Sequence, residues 1–453
     1  MSVNWTPEQI LSLAPDASSA KNGRILANLS KWSNLGYNEK AVWGEFKGSG
    51  KNPYRTQIDL SEPAFKCTCP SRKFPCKHGL GLFLLFASEL SASENGNFHG
   101  DTPPEWVSDW LDSRIQRKAK KAENISIAKK EVDPEAQVKR AQKRLDKVSG
   151  GIEDLEVWLR DLIRQGLATV QEKPLSFWDN VAARLVDAQA PGIARIVKSM
   201  GSIPYSGVGW QERLLAQLGK VYLLIEGFKA IDRLPADVQA DIRIQIGWTQ
   251  TKEELSQNSG IKDTWLILGQ EVEEEDRLKV QKNWLWGKNS QHSALILNFA
   301  HHTQPIDVSL IPGNSINAEL VFFESAYPLR AIVKHREDIS TPIDVIPECR
   351  NIKDMMRLYA EALAKNPWIE TLPIGLNQVV IRQEFIQKDN VKKDNLWFIQ
   401  DENNYQVSIK PKFTKQWQLL ALSGGHKIDV FGVWDGEYFL PLSIFADKKF
   451  ITI

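Results

Sequence analysis

The chain has 453 residues, of which 42% are hydrophobic and 25% charged, and a formal net charge of +1. That length suits roughly two to four domains with proper cores, and the near-neutral balance excludes a global field that would gather nucleic acid. The longest apolar run, Gly79 to Ala87, is about half of what a membrane span requires. Nothing at the N-terminus resembles a secretion signal, so the expectation is a soluble protein of a reducing cytoplasm, with no membrane contact. Thr6 before Pro7 predicts a capped helix start, and Ser18 to Trp32 suggests a second short segment leading toward residue 43.

Val42-Trp-Gly-Glu-Phe46 and Tyr54-Arg-Thr-Gln-Ile58 alternate as strands would, with turn formers between Gly48 and Pro53. Three of the four cysteines then fall within ten residues, Cys67, Cys69 and Cys76, and His78 follows two positions later. Three thiolates and one imidazole form the donor set that Zn²⁺ takes tetrahedrally. Cys67 and Cys69, two apart on a strand, share a face. Pro70 ends the strand, Ser71 to Pro75 folds back, and Cys76 and His78 belong in the turn entering an apolar helix that begins near Leu80. A closed set of four leaves no position for water or substrate, which points to one structural zinc. The alternative, a disulfide between two of the cysteines, would strand the third.

The order C-x-C, six residues, C-x-H, after a hairpin and before an apolar helix, resembles the SWIM zinc finger over about residues 43 to 90. The resemblance implies that Cys67, Cys69, Cys76 and His78 are the ligands, and that the module binds protein or nucleic acid without chemistry of its own. The chain as a whole is similar to bacterial SWIM proteins often encoded beside a MoxR-type ATPase, of the AAA+ class, and a von Willebrand A domain protein. These two are the protein partners that the resemblance implies.

From Asn95 to Pro104 turn formers close the module, and Glu105 to Leu111 reads as helix with two tryptophans. Arg114 to Lys147 holds 12 Lys or Arg against 5 Asp or Glu, a linker or exposed helix. Lys120, Lys121, Lys139 and Arg140, with Lys66, Arg72, Lys73 and Lys77 around the cysteines, make the candidate phosphate-contacting set. No aromatic residue interleaves Arg114 to Lys147, so a stacking platform for single strands is missing.

Helical stripes come next: Ile152 to Ile163, Phe177 to Val186, Ile193 to Met200 and Leu214 to Phe228, which predict three to five antiparallel helices. After about Ala240 the period becomes two. Strands are predicted at 242–248, 264–268, 293–299, 317–323 and 329–334, a helix at 352–364, then a meander at 379–382, 396–399, 405–409, 417–422, 428–434 and 438–442. The fold class is α+β: an N-terminal ββα zinc module, a central helical region and a C-terminal, mainly antiparallel β region. The expected divisions are 1–95, 96–150, 151–238 and 239–453, the last rich in tryptophan.

Enzyme signatures are not found. Gly44 to Asn52 imitates a phosphate loop but is one residue too long, and strands flank it. His292, His301, His302 and Asp307 lack a metal-binding helix motif, Glu271 to Asp276 reads as a solvated acidic turn, and Cys349 stands alone. The expected function is therefore a non-catalytic zinc-binding adaptor for protein partners, with DNA binding through the finger and the basic stretch as the alternative.

Overall fold

The computed structural model describes residues 7–48, 50–60, 64–92, 98, 102–127, 134–248, 250–275, 278–301, 306–347, 349–388 and 392–453. Thr6, Lys129, Lys130, Asp276 and His302 lie outside them. The chain forms a mixed α+β protein with the three regions in the expected order. Among the described residues, no helix is long and apolar enough to cross a membrane.

The N-terminal region begins with α1 (Pro7–Ser12) and α2 (Ala17–Leu26), the latter capped by the Asp16 carboxylate, which accepts from the Ser19 N–H at 2.7 Å. Four antiparallel strands are arranged in sequential order: β1 (Trp32–Tyr37), β2 (Ala41–Phe46), β3 (Tyr54–Asp59) and β4 (Ala64–Cys67). Of the false phosphate loop, Gly44 to Phe46 lie in β2, paired with β3, and the rest falls between the two strands. Helix α3 (Lys77–Ala92) is apolar on every side and buried from Gly79 through Ala87, the signature of a helix covered all round. The sheet covers one side, α1 and α2 another, and Val308 and Ile311 from the C-terminal region complete the core. Two glycines set the α2–α3 approach: a Cβ on Gly23 would stand 2.8 Å from Leu80 Cβ, and one on Gly81 2.8 Å from Leu26 Cβ.

Helix α4 (Glu105–Ile127) closes onto the sheet, packing Trp106 and Val107 against Trp43. Arg114 ties it down through Asp59 Oδ2 at 2.9 Å. The bundle comprises α5 (Pro134–Gln165), α6 (Leu175–Asp187), α7 (Pro191–Met200), α8 (Trp210–Lys229) and α9 (Ala236–Ile246). The predicted stripes supply its core, with Trp178 buried at the centre. Helix α5 runs on through position 150: Val148 faces the bundle core, while 139–147 face solvent.

Three sequence expectations are corrected here. Ile242 to Trp248 is not a strand: Ile242 and Ile246, one helical turn apart, are the buried apolar pair of α9. That helix ends at Gly247, whose φ of 108° suits glycine. Trp417 to Leu422 is likewise α12 (Gln416–Ser423), ended by Gly424 at φ 56°. The acidic run is no turn, since Glu271 to Glu275 belongs to β5 (Ile261–Glu275). The facing strand β6 (Leu278–Gly287) brings Lys282 to within 2.7 Å of Glu273 and Lys279 to within 3.1 Å of Glu274, and opposite charges across a pair stabilise both strands.

The C-terminal region is two β units. β5 and β6 close a barrel with β7 (Ser293–His301), β8 (Asn314–Phe322) and β9 (Arg330–Pro342), in the order β5-β6-β7-β9-β8. The short helix α10 (Lys252–Leu255) precedes it. The second unit is a seven-stranded sheet rather than a simple meander. β11 (Leu372–Lys388) lies between β12 (Lys392–Gln400) and β14 (Ile428–Trp434). β13 (Gln406–Ser408) extends one side, while β15 (Phe439–Ala446) and β16 (Lys449–Thr452) extend the other. β10 (Cys349–Arg350) joins β11 in parallel. α11 (Ile352–Lys365) and α12 contribute to its core. The units share a seam of Leu268 and Trp284 against Phe431 and Leu442, fixed by the Ser443 hydroxyl donating to Leu268 O at 2.6 Å. Trp284, Trp397 and Trp434 are core, whereas Trp417 is 58% exposed and stacks edge-on against Trp397 at 4.9 Å.

Candidate metal centre

Strand β4 delivers Cys67 at its last residue, the return loop carries Cys69, and Cys76 and His78 flank the first residue of α3. The donor atoms of Cys67, Cys69, Cys76 and His78 all lie within 4.8 Å of one another. With Zn–S near 2.3 Å, a tetrahedral site has sulfur edges of about 3.8 Å, so the four donors fit one zinc. All three cysteines are free thiols, and the disulfide alternative does not form. Cys76 and His78 are buried and Cys67 and Cys69 half-buried, as expected of a site at a module edge.

Neighbouring groups orient each ligand. Thr56, which faces Cys67 across the β3–β4 pair and is fully buried, sets its hydroxyl 3.2 Å from Cys67 Sγ. The Gly79 N–H donates to Cys76 Sγ at 3.5 Å. His78 Nδ1 stands 3.9 Å from Cys67 Sγ, and the imidazole is held between Phe46 and Tyr54 at centroid distances of 4.7 and 5.1 Å. Outer groups of this kind fix ligand geometry and tune affinity. Gly79 also lets the helix start approach Phe65, since a Cβ there would sit 3.0 Å from that ring. Phe65 in turn packs edge-on against Phe74 in the loop and Phe83 in the helix.

The thiols divide the charge unevenly. Hydrogen bonding by the Cys76 thiol, aided by His78 and Thr56, holds Cys67 down at about 4 against the effect of burial. The same bond, with burial, drives Cys76 well up, and burial pushes Cys69 up. Among themselves the three sulfurs thus favour one thiolate, and a divalent cation is what allows the other two to ionise.

Thr56, Gly79, Phe46 and Tyr54 escaped the sequence reading, although Thr56 becomes visible once β4 is registered on β3. Lys66, Arg72, Lys73 and Lys77 are exposed around the centre, but Lys73 is engaged with Asp16 Oδ2 at 2.7 Å. Lys139 and Arg140 are exposed on α5, a helix whose core is the bundle. Lys120 and Lys121 fall on α4, and their side chains lie outside the described residues. His292, His301 and Asp307 join no cluster: among the described residues the Cys67, Cys69, Cys76 and His78 group alone could share an ion. Cys349 opens β10, and its side chain is outside the described residues.

Residues 54–86 match the SWIM zinc finger family, and residues 143–246 match the SWIM-associated four-helix bundle domain. No curated protein and no solved structure matches the chain.

Proposed function

We infer that this SWIM zinc finger protein is a non-catalytic interaction module, in which one zinc holds a small sheet to its helix so that the surface can be offered to other proteins. The observation that carries the reading is the sealed Cys₃His set. Three sulfurs and an imidazole within 4.8 Å of one another supply the four donors that a structural zinc takes, and the imidazole is buried between two aromatic rings, which supports a closed site rather than one open to a reacting molecule. The finger is also built into the rest of the chain through Val308, Ile311 and the Arg114–Asp59 pair. A module fixed in this way suits assembly with a partner of defined shape. On the strength of the resemblance to bacterial SWIM proteins, the partners proposed are a MoxR-type ATPase and a von Willebrand A domain protein in the cytoplasm.

The exposed Lys66, Arg72 and Lys77 around the centre favour DNA as the second reading. Titrating duplex and single-stranded DNA into the zinc-loaded chain from about 50 to 200 mM salt separates the two, because phosphate contacts lose affinity steeply over that range. The protein reading expects weak DNA binding and a stable complex with the ATPase in size-exclusion chromatography. Tight, salt-sensitive DNA binding without that complex would overturn it.

A further inference from the structure

The hairpin ahead of the ligand loop carries an aromatic pair. β2 ends at Phe46 and β3 begins at Tyr54, and the register sets these two residues directly opposite each other. Residues paired in this way share one face of the sheet. The His78 ring enters between them at centroid distances of 4.7 and 5.1 Å, tilted by 44° to each. Trp32 meets Phe46 edge-on at 5.1 Å, and Gly48 makes room for the other ring, since a Cβ there would lie 2.5 Å from Tyr54 Cε2. Strand alternation puts Thr56 on the same face as Tyr54, so one face of β3 supports both His78 and Cys67.

An imidazole offers two nitrogens, and the fold turns one of them toward the sulfurs. Nδ1 stands 3.9 Å from Cys67 Sγ, close to the edge of about 3.5 Å that Zn–S near 2.3 Å and Zn–N near 2.0 Å give in a tetrahedron. A metal-bound histidine ordinarily donates its other ring N–H to a carboxylate, a carbonyl or water, and that bond orients the ring. Here Nε2 has no protein hydrogen-bond partner among the described residues. The rings pressed on its two faces are what keep the imidazole from turning.

We propose that His78 ligates zinc through Nδ1 and that Phe46 and Tyr54 are its positioning residues, doing by packing what a hydrogen bond to the second nitrogen does elsewhere. The proposal rests on the zinc centre described above and adds the ligating atom and the residues that select it. With Nδ1 on the metal, Nε2 carries the ring proton and the imidazole stays neutral while bound.

The test uses the full chain, perdeuterated but for its histidines and loaded with ¹¹³Cd²⁺ in place of zinc. Correlations between metal and protons then select the bound ring among the seven histidines. From Nδ1 the metal is three bonds from Hε1 and four from Hδ2, so a correlation to Hε1 alone is expected. From Nε2 it is three bonds from both, and comparable correlations to the two protons would overturn the proposal. Tyr54→Leu keeps an apolar side chain without the ring, and Tyr54→Phe restores the ring without the hydroxyl. Expected for Tyr54→Leu are zinc affinity lower by about tenfold in chelator competition and a new Hδ2 correlation as the released imidazole turns, while Tyr54→Phe matches the parent in both. A Tyr54→Leu chain that binds zinc within about twofold of the parent, or that keeps the Hε1 correlation alone, would refute the positioning role. A parent chain that takes up no metal would remove the centre itself, a failure distinct from a metal held on Nε2.

Discussion

Replacing Thr56 by Val probes the metal centre without touching a ligand. The residue is fully buried, its hydroxyl lies 3.2 Å from Cys67 Sγ, and Val keeps the branched shape and the strand preference. With Cys67 as a thiolate the hydroxyl is the donor, so the substitution removes one charge-assisted hydrogen bond from a sulfur ligand. Loss of such an outer partner lowers metal affinity roughly 10- to 100-fold, or about 1.4 to 2.7 kcal/mol. The cost appears in zinc binding itself, because the fold and metal of a small zinc module are one equilibrium. Competition against a chromophoric chelator measures it directly, with Thr56→Ser, which restores the donor, as the rescue. If Thr56→Val binds zinc within about twofold of the parent while remaining folded, the hydroxyl does not support the ligand and the account of the centre is wrong.

Cys76→Ala or His78→Ala should abolish stoichiometric zinc in elemental analysis, and because Val308 and Ile311 belong to the same core, lost amide protection should reach 306–311 while the bundle stays protected. Lys73→Ala should let Asp16 rise from about 2 toward the ordinary carboxylate range, since the Lys73 ammonium is the main cause of its depression. A depressed carboxylate contributes stability above its unfolded value that is lost as pH falls toward 2; NMR titration of Asp16 checks the shift. Asp241, raised by burial, behaves oppositely: its charge opposes folding as pH climbs past its unfolded value. Asp241→Asn, which can still accept from the Ala326 N–H, should flatten the stability profile above about pH 4 in denaturant titrations. Gly192→Ala should destabilise the bundle by about 1 to 3 kcal/mol in urea unfolding, since a Cβ there would lie 2.2 Å from Gln245 O; an unchanged midpoint would contradict the packing.

The metal ligands were legible because all four lie within twelve residues and their spacing alone defines the geometry. The bundle stripes were legible for a related reason: a helix face is written in local periodicity. What failed was written elsewhere in the chain. Ile242, Ile244 and Ile246 alternate like a strand, and only the buried neighbours of Ile242 and Ile246 make them helical. Glu271 to Glu275 looked like a turn until Lys279 and Lys282 stood opposite. Thr56 gained its role from a strand register that places it beside Cys67. Barrel closure depends on two residue pairs between β7 and β9, a long-range contact with no motif of its own.

Helix α3 has a further consequence for how the protein comes into being. Its apolar side from Gly79 to Ala87 is complete early in translation, yet Val308 and Ile311, which finish its cover, emerge more than two hundred residues later. At ordinary ribosomal speeds that interval is roughly 10 to 45 seconds. Throughout it the flank of α3 that Val308 and Ile311 cover lacks that cover, so this part of the core can close only late in synthesis.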